Sequence, residues 1–197
     1  MIQDFLAIDH RNPSAIPLRL PRANSTNDIG DFVLSTKILL RREGKRLPAI
    51  GLRFGVGLPN TDQARALGTN QTNTFAAVLA GKHFGRLNLF GNLGMAILPA
   101  PLERFSQNDV LLYGVAGLFE VNHRVNLVGE INGRENMRDR RVPLGTESQG
   151  QGRFGVQIKV GGLRWDLAGV KGFRPFSPRS GITFGLTYDF PVFQPVR

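Results

Sequence analysis

Hydrophobic and polar residues alternate with a period of two along most of the chain between Gly30 and Phe190. In residues 49–58, for example, Ile, Leu, Phe, Val and Leu occupy the even positions, whereas Ala, Gly, Arg, Gly and Gly occupy the odd ones. Alternation of this kind predicts β-strands with two chemically different faces. We count about nine such segments of roughly ten residues each, and none of them fits a helical period.

The joins between these segments are alternately short and long. The short joins are 41–46, 84–86, 122–124 and 161–162, and the long ones are 59–71, 98–108, 136–150 and 172–180. Tight turns at one end and long loops at the other are typical of bacterial transmembrane β-barrels. A strand of roughly ten residues also has the length that a tilted strand needs to cross a bilayer. We therefore predict an all-β fold, an antiparallel transmembrane β-barrel of about 10–12 strands.

The predicted domain organisation has three parts. Residues 1–29 form an N-terminal segment with one or two weak strands, of which Ile16–Leu20 is the clearer, although Pro17 favours an edge position. Residues 30–190 form the β-barrel, and residues 191–197 form a C-terminal tail. Met1–His10 lacks the basic start and apolar stretch of a secretory signal. Because a barrel of this kind has to be exported, we expect the chain to be a mature or N-terminally incomplete form.

Composition narrows the function classes. The formal net charge is +10, but Lys and Arg are spread over turns, loops and alternate strand positions, so we expect no nucleic-acid partner. The chain has no cysteine and three scattered histidines, so we predict no metal site and no cofactor. Gly150, Gly152 and Gly155 match a dinucleotide fingerprint as a string, but no helix follows them as that site requires. We expect no enzymatic activity.

One face of the predicted strands collects small residues and isolated charges, which suits the lumen of a membrane barrel. The residues predicted to line this lumen and to set its selectivity are Lys37, Arg53, Glu130, Arg134, Arg153, Lys159, Arg164 and Asp166. The excess of positive charge favours anionic or carboxylate solutes. The same residues are equally compatible with a lumen plugged by its own ion pairs.

Several segments resemble a family of bacterial outer-membrane β-barrel transporters of the MetA-pathway-of-phenol-degradation type. The segments are Asp28–Leu40, Leu47–Asn60, Leu67–Met95, Tyr113–Gly133 and Ile182–Phe190, which occur in the same order as in that family. The resemblance implies a monomeric barrel in the cell outer membrane of a Gram-negative bacterium, with membrane lipid and a small solute as partners. It implies passive passage or binding of small hydrophobic or aromatic compounds.

Three other functions stay open from the sequence. A soluble ligand-binding barrel would place Ile50, Leu52, Phe54, Phe154 and Ile158 inside instead of facing lipid. A structural barrel of the outer membrane would have the same faces without conducting. An outer-membrane hydrolase would need a serine and a histidine that converge, and no pair of these residues shares a strand face at close spacing.

Overall fold

The computed structural model describes residues 31–60, 71–99, 107–138, 142–143, 145–177 and 179–188. These residues form nine β-strands and contain no helix, which confirms the all-β prediction for this part of the chain. The strands are β1 (Phe32–Arg41), β2 (Ala49–Leu58), β3 (Asn73–Phe84), β4 (Leu87–Pro99), β5 (Gln107–Glu120), β6 (Val125–Asn136), β7 (Gln149–Val160), β8 (Leu163–Gly172) and β9 (Ser180–Tyr188). The predicted strand at 16–20 and the tail at 191–197 lie outside the described residues.

The strands form one antiparallel sheet whose order is the order of the chain. Within the described residues, each strand pairs only with its sequence neighbours, and β1 and β9 are the two edges of the sheet. The sheet is not closed within the described residues, so closure and a total of 10–12 strands stay predictions. One irregularity interrupts the ladders, a register shift between Leu39 and Arg41 where β1 leaves its partner β2.

The joins alternate in length as predicted, although the β1–β2 join, with seven residues, is as long as two of the joins at the other end. The strands are joined at one end of the sheet by 42–48, 85–86, 121–124 and 161–162, and at the other end by 59–72, 100–106, 137–148 and 173–179. The β7–β8 turn consists of Gly161 and Gly162, which have φ angles of 56° and 83°. Positive φ at both central residues matches the twist of the flanking strands, which is why such tight hairpins favour glycine. We refer to these ends as the short-turn end and the long-loop end.

The two faces of the sheet differ in exposure, and the larger apolar side chains occupy the more exposed one. Leu93, Phe154 and Ile182 on this face are 58%, 67% and 81% exposed. Side chains on the other face are mostly half-buried or buried, and they include the buried amides Asn108, Asn126, Asn136 and Gln151. We call the more exposed face the outer face and the other one the inner face.

The buried apolar core of the described residues is very small. It consists of Ala96, Val110 and Val170, all at inner positions. A water-soluble sheet of this size would bury the larger apolar face of its strands and expose the polar one. The sheet has the opposite arrangement, because most of its large apolar residues are exposed, whereas most polar residues on the inner face of β6–β8 are half-buried or buried.

Candidate functional site

The register of the strands places every residue predicted to line a lumen on the inner face. These residues are Lys37, Arg53, Glu130, Arg134, Arg153, Lys159, Arg164 and Asp166. They fall into two separate groups, because β1 and β2 are not neighbours of β6–β8 in the sheet. The strand pairing places these residues on one face. Because the described sheet is open, it encloses no lumen, and their role in lining one stays a prediction.

The inner positions of β6–β9, which we call the polar wall, form cross-strand hydrogen bonds. Glu130 lies directly opposite Arg153, and its carboxylate accepts a hydrogen bond from the Asn132 side chain. The Gln151 amide donates to Asn132 Oδ1 at 3.1 Å, which extends the chain of contacts toward the long-loop end. Asn126 donates to Gln157 at 3.3 Å nearer the short turns. Buried amides and carboxylates are stable here because they bond to one another.

Two polar atoms of the polar wall have no partner within the described residues. They are Arg153 Nε and Asp166 Oδ1, both of which are buried. The other carboxylate oxygen of Asp166 accepts from Arg164 Nε at 3.2 Å, and Arg164 also donates to Thr187 at 3.1 Å. A buried polar atom without a partner costs free energy unless water or a ligand bonds to it. The inner face between β7 and β8 therefore has capacity for a polar group.

The inner positions of β2–β5, which we call the small-residue wall, have a different composition. Their central part contains Gly51, Gly55, Ala77, Leu79, Gly94, Leu112, Ala116 and Leu118, with Arg53 and Asn92 as the polar exceptions. Two phenylalanines stand here as well, because Phe75 lies opposite Gly55 and Phe90 lies opposite Gly81. An added Cβ on Gly55 would lie 2.6 Å from the Leu34 carbonyl oxygen, so this position is restricted to glycine.

Lys37 and Arg53 lie directly opposite each other at the start of the small-residue wall. Like charges at facing positions destabilise a sheet. The Arg53 guanidinium lies over the ring of Phe75, 5.2 Å from its centroid, which is the geometry of a cation–π contact. Phe75 thus faces inward with the charged residues, and the outer positions of β3 are taken by smaller side chains such as Ala76 and Val78.

A small pocket lies where the two walls meet. Its volume is about 170 Å³, and its inner-face lining consists of Leu79, Phe90, Asn92, Gly114, Ala116 and Glu130. One side of the pocket is apolar, and the other is an amide and a carboxylate. A compartment of this size and composition suits a small molecule with an apolar body and one hydrogen-bonding group.

At the long-loop end, the segment between β6 and β7 is bonded to the inner face. Arg134 donates from Nε to the carbonyl of Glu147 and from Nη2 to that of Gly145, both at 3.0 Å. The Asn136 amide donates to the carbonyl of Thr146 at 2.8 Å, and Thr146 is fully buried. Sequence reasoning treated this segment only as a long loop, because no local pattern in it signals contacts with Arg134.

A salt bridge adds to the contacts at this end. Glu135 accepts from Ser148 Oγ at 3.0 Å and from Arg174 at 2.6 Å, so it connects the β6–β7 segment with the β8–β9 segment. Two of the long loops are thereby held against each other and against the end of β6.

The short-turn end has its own ionic cluster. The Lys82 ammonium lies 2.8 Å from Glu43 Oε1 and donates to the carbonyl of Gly44 at 2.6 Å. Glu43 also accepts from the backbone N–H of His83 at 3.0 Å. These bonds favour the charged carboxylate, so the hydrogen bond from Lys82, followed by that from His83, lowers the pKa of Glu43. The β1–β2 turn is thereby attached to the end of β3.

The described part of the chain contains no group of His, Asp and Glu side chains that could hold a metal ion. None of its elements is a helix capable of crossing a bilayer. No protein-family model matches the chain, and no match is found among curated proteins. The resemblance to the outer-membrane transporter family stays a prediction from the sequence.

Proposed function

We propose that this chain is a transmembrane β-barrel of an outer membrane whose inner face binds small solutes or lets them pass. The single observation that carries the proposal is the inversion of the two faces. Large apolar side chains are exposed on the outer face, while most charged and amide side chains on the inner face of β6–β8 are half-buried or buried, although Lys37, Arg53 and Lys159 are exposed. In lipid this arrangement places apolar groups against hydrocarbon and polar groups against water or a solute.

The same observation argues against the soluble ligand-binding barrel. That alternative requires five residues to be buried inside. Of these, Leu52, Phe54, Phe154 and Ile158 are 37%, 48%, 67% and 40% exposed, and Ile50 is half-buried. Exposure of this many large side chains over one continuous face would promote aggregation in water.

Closure is the second element of the proposal. A sheet edge in hydrocarbon leaves backbone N–H and C=O groups unpaired, so a membrane sheet has to close. Bacterial single-chain barrels have even strand numbers, and nine strands are described here. We propose that at least one further strand comes from residues 1–29, in which Ile16, Leu18 and Leu20 alternate with other residues.

The composition of the inner face supports small solutes with an anionic or polar group. Among the predicted lumen residues, the positive ones outnumber Glu130 and Asp166, which favours anions. The positive residues are Lys37, Arg53, Arg134, Arg153, Lys159 and Arg164. The pocket between the walls adds an apolar surface from Leu79 and Phe90. A barrel of about ten strands is narrow, so the solutes have to be small.

One observation favours a second candidate, a barrel that does not conduct. The β6–β7 segment is bonded to Arg134 and Asn136 on the inner face, so it covers part of the long-loop end. A barrel whose long-loop end is covered in this way would bind solutes or have a structural role, but solutes would not diffuse freely through it.

Labelling of adjacent residues tests the proposal. The variants Phe54→Cys and Arg53→Cys introduce single thiols into a chain that has none. In liposomes, we expect Cys at the outer position 54 to react with a lipid-confined reagent and Cys at the inner position 53 to react with a water-soluble one. If the protein instead stays in solution and position 54 is protected from both reagents, the membrane barrel is refuted. Conductance in planar bilayers then separates the two candidates, because only the open barrel passes current.

A further inference from the structure

A recess on the outer face crosses the four strands β5–β8. Its volume is about 780 Å³, and its outer-face lining consists of Val115, Gly117, Gly129, Ile131, Gly152, Phe154, Gly169 and Lys171. Gly117 lies directly opposite Gly129, and Phe154 lies between Gly129 and Gly169. The recess therefore exists because glycines cluster at adjacent outer positions of β5–β8, where strands such as β2 and β9 have large apolar side chains.

Neither backbone geometry nor packing requires these residues to be glycine. None of them has a positive φ. A Cβ added to Gly169 would meet nothing within 4 Å, and one added to Gly129 would lie 3.8 Å from Phe154, an ordinary contact. Inner-face Gly51 and Gly55 are different, because a Cβ there would lie 2.9 Å and 2.6 Å from backbone carbonyl oxygens. Glycine in a strand interior weakens the strand and often marks the close approach of a ligand.

A cation stands at one end of the recess. Lys171 lies on the outer face of β8, one residue before the strand ends at the long-loop end, directly opposite Gly152. It is exposed and forms no salt bridge with any described residue. An apolar recess that ends at an ammonium group with no salt bridge to a described residue is complementary to a molecule with a hydrocarbon chain and an anionic head.

We propose that this recess binds one acyl chain of an anionic membrane lipid, with Lys171 against a phosphate of its headgroup. The inference rests on the proposed membrane function, because it requires the outer face to lie in lipid. A second copy of the chain is a poorer occupant. A two-fold contact through the recess would bring the Lys171 side chains of both copies near each other, and their like charges would oppose it.

Spin-labelled lipids provide the test. The full chain is reconstituted in phosphatidylcholine vesicles that contain a small fraction of spin-labelled phosphatidylglycerol, and the motionally restricted fraction is measured. The double variant Gly129→Leu/Gly169→Leu fills the recess, and Gly91→Leu is the matched control. Gly91 is an outer-face glycine on β4 whose added Cβ would lie 3.9 Å from its nearest neighbour.

We expect the filled variant to restrict fewer phosphatidylglycerol molecules per protein than the wild type, and the Gly91→Leu control to restrict as many as the wild type. Lys171→Gln should keep a restricted chain but lower the preference for phosphatidylglycerol over phosphatidylcholine about five-fold, since one basic residue near a membrane surface contributes about that factor. Equal restricted fractions in the wild type and the filled variant would overturn the proposal.

The single Trp165 separates this failure from failure of the membrane function. Its side chain lies on the outer face of β8 and is 41% exposed. Quenching of its fluorescence by brominated acyl chains would support membrane insertion, whether or not the recess binds a lipid. If Trp165 is quenched but filling the recess changes nothing, only the lipid site is wrong. If Trp165 is not quenched, both proposals fall.

Discussion

The small-residue wall and the polar wall arise from the same alternation of strand residues, yet they are stabilised differently. On β2–β5 the inner positions are mostly glycine, alanine and leucine, and two phenylalanines cover glycines. On β6–β9 many inner positions are charged, amide or hydroxyl residues, several of which bond across strands. The outer faces of both halves are similarly apolar. The inner face therefore differs in chemistry from one part of the sheet to the next, whereas the outer face is mostly apolar throughout and differs mainly in the recess that glycines form on β5–β8.

The largest expected effect is on stability, and it tests which face of the sheet is the inner one. The comparison of the two walls depends on this assignment. Leu93 and Asn92 are adjacent on β4, and Leu93 lies on the outer face with 58% exposure. In a bilayer, Leu93→Arg should lower the free energy of unfolding by about 2–4 kcal/mol, because it places a charge in hydrocarbon. Asn92→Arg should have a much smaller effect. Urea unfolding of vesicle-reconstituted protein measures both, and equal costs would mean that the faces are misassigned.

The next effect concerns the contact between the polar wall and the long loops. Arg134→Met removes two charge-assisted hydrogen bonds to the carbonyls of Gly145 and Glu147. We expect a loss of about 2 kcal/mol in unfolding free energy, with faster amide exchange in residues 145–148. Arg164→Met is the control within the same wall, since its partly exposed pair with Asp166 should contribute less than about 1 kcal/mol. Unchanged exchange in Arg134→Met would show that the segment is held by other contacts.

A smaller effect tests whether the walls differ in their influence on solutes. In a conducting barrel, Arg153→Gln should reduce the permeability ratio of anions over cations about five-fold, which corresponds to ~1 kcal/mol. Leu118→Val on the small-residue wall should leave that ratio unchanged. Reversal potentials under a salt gradient provide the measurement. A ratio that depends on both positions alike would show that the two walls act as one.

The smallest expected effect is on the pH dependence of stability. It comes from the ionic cluster at the short-turn end, in which Glu43 contacts Lys82 and His83. Because the folded-state pKa of Glu43 is lowered from its ordinary value of 4.5, its contribution is fully present above that value. The contribution is lost as the pH falls through the lowered pKa. Glu43→Gln should therefore reduce the acid sensitivity of unfolding below pH 4.5, measured against wild type in the same buffer series. Identical pH profiles would indicate that the Lys82 contact is not maintained in solution.

The strands could be predicted from the sequence where alternation of apolar and polar residues extends to their ends. β2 has the predicted bounds, Ala49–Leu58. β5 begins earlier than predicted, at Gln107, and β7 begins at Gln149. Both extensions are polar segments that join the sheet through backbone hydrogen bonds, so they lack the alternating signal. Gly150, Gly152 and Gly155, with their loop-like composition, all lie within β7.

The candidate site could be predicted only in part. The two-residue alternation of apolar and polar residues was sufficient to place the charged residues of β1, β2 and β6–β8 on one face. Strands that pair in register keep the same alternating residues on the same face of a sheet. Contacts that join distant segments have no such signal. The bonds from Arg134 to the β6–β7 segment and the glycine recess on the outer face depend on three-dimensional proximity, which a single sequence does not encode in its spacing.

The order of the strands has a consequence for how such a protein can change in size. Every strand bonds only to its neighbours in the chain, and β3 and β5 both begin at the long-loop end. Loss of the hairpin formed by β3 and β4 would therefore bring β5 beside β2 in the same direction as the strand it replaces. Since barrel diameter grows with strand number, duplication or deletion of single hairpins offers a route to wider or narrower relatives without reversal of any strand.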